Sequence, residues 1–241
     1  MAANRYGKIL VFVALLSFAL GSAKEQSIRI MPLGDSITQG YKGHDTYRRG
    51  LWLRLKHAGA GVDFVGSLKK NYWGMPRHSD FDMDHEGHWG WRADQVMARM
   101  DKWAAENVPD IVLIHLGTND IGGGQDIGET VGEIEEIIAI LRKHNAKVKV
   151  LLAQIIPLAN EQATKRIKRF NKQLVKLTES ISKEESRIIP VNHFEGFDPK
   201  TDTYDGVHPN ERGMDKMADK WYKALIDILP LEKKKPEARG Q

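Results

Sequence analysis

Cysteine is missing from all 241 residues. Its absence excludes disulfides, a thiolate nucleophile, cysteine-ligated zinc and lipid attachment at a cysteine. Long apolar runs are nearly missing too. The exception is the 12-residue stretch "ILVFVALLSFAL", preceded by Arg5 and Lys8 and followed by the small residues "GSA" at 21–23. A positive start, a short apolar run and small residues at −3 and −1 are the layout of a secretory leader cleaved after Ala23. The run is shorter than the ~20 residues that span a bilayer. No later stretch is long enough to cross a membrane, so residues 24–230 read as one soluble, exported domain, secreted or periplasmic.

Charge of one sign is also scarce. Losing Arg5 and Lys8 with the leader lowers the formal charge from +4 to +2, and much of the rest sits in the tail "EKKKPEARGQ". Residues 231–241 therefore read as a solvated, disordered end, and a nucleic-acid surface is not indicated. Several motifs are lacking. No glycine-rich loop carries a Walker lysine, and no G-x-G-x-x-G follows the first strand. The α/β-hydrolase elbow G-x-S-x-G fails as well, because Gly34 precedes Ser36 by two and the next glycine is Gly40. Asp80, Asp82 and Asp84 alternate as in a calcium loop. An EF-hand would need glycine and glutamate where His85 and Trp91 stand. His85, Glu86 and His88 do not make H-E-x-x-H either, so no metal and no cofactor is expected.

What is present alternates. Apolar strand runs at 27–33, 62–66, 110–117, 147–157 and 187–191 are interleaved with amphipathic helical stretches at 46–59, 93–107, 130–145, 166–182 and 211–229. No repeat or linker divides them. Five strands alternating with helices predict a flavodoxin-like, three-layer α/β/α sandwich on a five-stranded parallel sheet. Ligands of such sheets bind beyond the carboxyl ends of the strands, and the unusual residues fall there.

"MPLGDSITQG" puts Ser36 directly after the first strand, either as a nucleophile or as a helix cap. "YDGVHPN" places Asp205 three residues before His208, close enough for the carboxylate to orient Nδ1 and leave Nε2 as a base. "HLGTND" ends the third strand with Asn119, whose amide could donate to an oxyanion or cap a turn. In "HEGHWGW", Gly90, with Gly87 as the fallback, could bring a backbone N–H against a substrate or simply form a turn. Asp35 and Asp120 flank these positions as hydrogen-bonding supports. His115, on a buried strand, reads as a core histidine, and Arg48 and Arg49 as the solvated start of a helix. Trp91 could line a pocket, and Tyr72 with Trp73 could form a stacking surface; packing of the loop is the alternative for all three.

Taken together, "GDS", the "GHWGW" glycine, "GTND" and "DGVHP" resemble the four blocks of the SGNH (GDSL-like) hydrolases, with Ser36, Gly90, Asn119 and His208 as the named four. The stretches "IMPLGDSIT", "DHEGHWGW" and "PDIVLIHLGTNDI" look more narrowly like carbohydrate esterase family 3, where acetylxylan esterases occur. The resemblance runs from about Ile28 to Leu229. It implies a serine esterase with the triad Ser36, His208 and Asp205. Its oxyanion would lie between the N–H groups of Ser36 and Gly90 and the Asn119 side chain. It also implies an O-acetylated carbohydrate as substrate. A lysophospholipase, short-chain lipase or thioesterase is the rival within the class, and a non-catalytic carbohydrate-binding protein the rival outside it.

Overall fold

The structure, a computed structural model, describes residues 27–230. The expected leader at 1–23 and the basic tail at 231–241 lie outside the described residues. Among these residues no helix is long and apolar enough to cross a membrane.

The elements run β1 (Ile28–Gly34), α1 (Ser36–Gln39), α2 (Tyr47–His57), β2 (Val62–Phe64), β3 (Glu86–Gly87), α3 (Ala93–Asn107), β4 (Ile111–His115), α4 (Thr118–Gly122) and α5 (Ile127–His144). They continue with β5 (Lys149–Gln154), α6 (Glu161–Ile181), β6 (Ile188–Asn192), α7 (Pro199–Asp202) and α8 (Glu211–Ile226). All strand pairs are parallel, in the order β2-β1-β4-β5-β6. The sheet has six strands rather than five. The extra one is the two-residue β3, which pairs with Leu33 and Gly34 where β2 has already ended. Two residues carry no period, which is why it reads as loop in the sequence.

The sheet is central because its strands are apolar on both sides. Along β4, Ile111 and Leu113 join the cluster under α2 and α8, whereas Val112 and Ile114 join the one under α3, α5 and α6. Each such side chain, fully buried, stabilises the fold by about 1.5–3 kcal/mol relative to exposure. Side-chain caps set where the helices begin. Asp126 accepts from Gly128 and Glu129, Asn160 from Ala163, and Asn210 from Gly213. These caps start α5 and α6 a few residues before the hydrophobic period becomes visible.

The carboxyl ends of β1 and β4 thus carry Ser36 and Asn119 side by side. The chain after β6 passes through α7 before returning with Asp205 and His208.

Candidate active site

Ser36 is the first residue of α1 and only 5% exposed. Its neighbour Asp35 is the cap, accepting from the Ile37 N–H at 2.9 Å. The Ser36 hydroxyl is therefore not used by the helix, and it lies 2.9 Å from His208 Nε2. The other ring nitrogen, Nδ1, lies 2.7 Å from Asp205 Oδ2. Asp205 Oδ1 accepts from the backbone N–H groups of Val207 (3.0 Å) and His208 (2.7 Å). Burial pushes the Asp205 carboxyl up, but His208 and these backbone donors outweigh it and hold the group below its ordinary value. An ionised Asp205 fixes the imidazole with its proton on Nδ1 and leaves Nε2 free to accept.

Around this line the loop 203–209 is closed on itself. Thr203 pairs with Pro209, the Thr203 hydroxyl accepts from Gly206 N, and Tyr204 N donates to His208 O. Asn119 stands on α4, and its Nδ2 donates to Trp91 O at 2.8 Å. An amide has two N–H bonds, so a second donor remains.

Gly90 occupies a turn closed by Trp91 N donating to His88 O, with φ of 76°. A side chain is strained in that conformation. Among the described residues the Gly90 N–H has no acceptor, and neither has that of Ser36. Gly87 differs. Its N–H donates to His85 Nδ1 at 3.0 Å, and a Cβ there would stand 2.6 Å from Gln39 N. The need at Gly87 is close approach of backbones, with no donor left over.

The turn bearing Gly90 is held from several directions. Trp89 N donates to Gln39 Oε1 at 2.7 Å, and His88 N to Gly34 O. The His88 ring stacks on Trp91 (4.3 Å) and Trp103 (4.5 Å), while its Nε2 meets the buried Glu86 at 2.7 Å. Trp91 packs there, with the Arg99 guanidinium also over its ring at 4.7 Å. Asp120 Oδ1 accepts from Ala93 N at 2.9 Å and so ties α4 to the start of α3. Burial raises the Asp120 carboxyl and pushes Asp35 up to about 6. His115 is wholly buried, and that burial lowers its imidazole to about 4.

Aromatic rings continue outward from His208. Its imidazole stacks on Trp89 (4.7 Å, 15°) and on Tyr204 (5.7 Å, 16°). Trp89 stacks in turn on Tyr72, and Tyr72 on Trp73, which is 73% exposed. Trp89 and Tyr204 were missed by motif reading, although each directly precedes a residue that it found.

Arg48 corrects an expectation. It is 1% exposed rather than solvated. Its guanidinium donates to Thr38 O (2.9 Å), Gln39 O (3.1 Å), Met83 O (2.8 Å) and Asn71 Oδ1 (3.2 Å). Thr38 and Gln39 end α1, so Arg48 fastens the serine-bearing turn to the loop before the Gly90 turn. Burial lowers its pKa to about 10, which leaves it charged at neutral pH. Arg49, by contrast, is partly exposed and pairs with Asp80 at 2.7 and 2.6 Å. Arg48→Met keeps the bulk but strands several buried acceptors, and a loss of about 3 kcal/mol in urea unfolding is expected.

The acidic loop has its own partners. Asp82 accepts from Phe64 N and Asp84 pairs with Lys69.

Residues 33–216 match the family model described as "GDSL-like Lipase/Acylhydrolase family". The chain belongs to the GDSL-like lipase/acylhydrolase family. The match takes in every residue from Ser36 to His208, and the fold is that of carboxylic ester hydrolases of the GDSL type. This GDSL-like chain is 28% identical to a multidomain esterase of Ruminococcus flavefaciens, over 86% of its length and 30% of the relative's. It is 27% identical to an acetylxylan esterase of Xylanibacter ruminicola, over 83% of its length and 44% of the relative's. The chain thus spans less than half the length of either curated relative. A solved carbohydrate esterase family 3 structure from Talaromyces cellulolyticus is 32% identical, with a TM-score of 0.75, covering 83% of this chain and 97% of that one.

Proposed function

We propose that this protein is an exported serine esterase that removes acetyl groups from carbohydrate hydroxyls. The observation that carries the reading is the line Asp205–His208–Ser36, with contacts of 2.7 and 2.9 Å. His208 Nε2 takes the Ser36 proton as the oxygen attacks the ester carbonyl. The oxyanion that forms is met by the N–H groups of Ser36 and Gly90 and the spare N–H of Asn119. Each such donor contributes about 2.7–4 kcal/mol to transition-state stabilisation. His208 then returns the proton to the leaving sugar oxygen, and an acyl-enzyme is left. Water, deprotonated by the same nitrogen, releases acetate and restores Ser36.

A short acyl group is supported by the hollow that Ser36 and His208 share, which holds only ≈ 20 Å³. That is little more than the ~10–15 Å³ that one water needs, so the space directly beside the serine takes only a small group. Carbohydrate is supported by the resemblance to acetylxylan and family 3 carbohydrate esterases and by the exposed stack of Tyr72 and Trp73. Export is supported by the leader-like first 23 residues. A panel of p-nitrophenyl acetate, acetylated xylan, acetylated monosaccharides, long-chain esters and lysophospholipid tests the reading. Acetylated sugars should be the best natural substrates. Preference for long acyl chains would replace this reading with the lipase, and hydrolysis of nothing on the panel would leave a binding protein.

A further inference from the structure

Beyond Ser36 the surface does not close. The small hollow beside the serine shares His44, Asp45, Tyr204 and Met214 with a second hollow of ≈ 390 Å³. The second shares Asp45, Arg77, Glu211 and Met214 with a third, also ≈ 390 Å³, which ends at Asp215. The three form one trough, leading away from the triad on the Tyr204 side. It meets the Tyr72–Trp73 stack only at Tyr41, which lines the small hollow and lies 6.4 Å from the rings of both His44 and Tyr72.

The lining is neither greasy nor of one charge. Arg77 and Glu211 meet at 3.0 Å, one from the loop after β2 and the other from the first turn of α8. His78 donates its backbone N–H to Asp45 and places its ring nitrogen 2.6 Å from the same carboxylate. Tyr204, 47% exposed, stacks on His44 at 5.1 Å where the trough opens from the serine. A hydrocarbon chain laid here would strip water from these charges without replacing it, which is unfavourable. A polyanion would meet as many carboxylates as cations. A neutral polyol fits both features, since the charged side chains offer donors and acceptors to its hydroxyls and aromatic rings receive the apolar face of a sugar.

We infer that the trough is a second binding site, for the glycan residues that neighbour the acetylated one. The inference rests on the acetyl-carbohydrate reading and adds to it where the rest of the glycan lies, past Tyr204 and along Arg77 and Glu211. Arg77 and Glu211 bind that glycan and have no part in the chemistry at Ser36.

The test compares kcat/KM per acetyl group on acetylated xylose, acetylated xylo-oligosaccharides of increasing length and p-nitrophenyl acetate. The expected result is a rise of about tenfold or more with chain length, the scale of one hydrogen bond to a charged group. Arg77→Ala should remove most of that rise, and Glu211→Gln, which keeps the side chain's length, part of it. Both are read as the ratio of oligosaccharide to p-nitrophenyl acetate turnover. Equal values from monomer to longest oligomer, or a rise that survives in Arg77→Ala, would overturn the trough and leave the acetyl esterase standing. Hydrolysis of p-nitrophenyl acetate with none of any acetylated sugar would overturn the carbohydrate reading, and the trough with it.

Discussion

Ser36→Ala is expected to lower kcat on p-nitrophenyl acetate by about a million-fold, the scale seen when a triad nucleophile is removed. Its structural cost should be negligible. The cap of α1 is Asp35, so the helix loses no capping bond, and the one side-chain contact removed is that with His208. Alanine is also the best residue for a helical position. Circular dichroism and the urea midpoint should match those of the parent while turnover disappears. Undiminished turnover in the variant would end the serine-esterase reading.

Asp205→Asn is expected to cost about ten-thousand-fold in kcat, as when the orienting carboxylate of a triad becomes an amide. The geometry gives the reason. Asparagine can keep Oδ1 on the Val207 and His208 N–H groups, so the loop need not move. Its NH₂ then faces His208 Nδ1, which must accept. The ring proton goes to Nε2, facing Ser36, where a base is needed. The rate should fall with the urea midpoint nearly constant, and a variant within tenfold of the parent would show that Asp205 does not orient the base.

Much of this was legible in the sequence because the information was local. β1, β4 and β5 are apolar runs, since both sides of the sheet are covered. Asp205 and His208 are three residues apart, and Ser36 and Asn119 lie on the short helices that follow β1 and β4. The one-turn helices α1, α4 and α7, like β3, are too short to show a period. Arg48 was misread because a pair of arginines at a helix start has no local mark of burial. Carbonyls from three separate segments converge on it, and only the assembled fold brings them together. Trp89 and Tyr204 were hidden for the same reason, since stacking on His208 joins distant loops. Choosing Gly90 over Gly87 needed to know which N–H was already spoken for.

The distance of 172 positions between Ser36 and His208 also bears on how the molecule comes into being. A nascent chain that has left the ribosome only as far as Asn192 contains the serine, the Gly90 turn and Asn119, but no base. His208 arrives just ahead of α8, which seats the buried Trp221 against Tyr47 on α2. On the proposed mechanism, turnover therefore cannot precede the folding of the loop that brings His208 to Ser36. In a refolding experiment, turnover would count only the molecules in which His208 has reached Ser36, whatever secondary structure had appeared before.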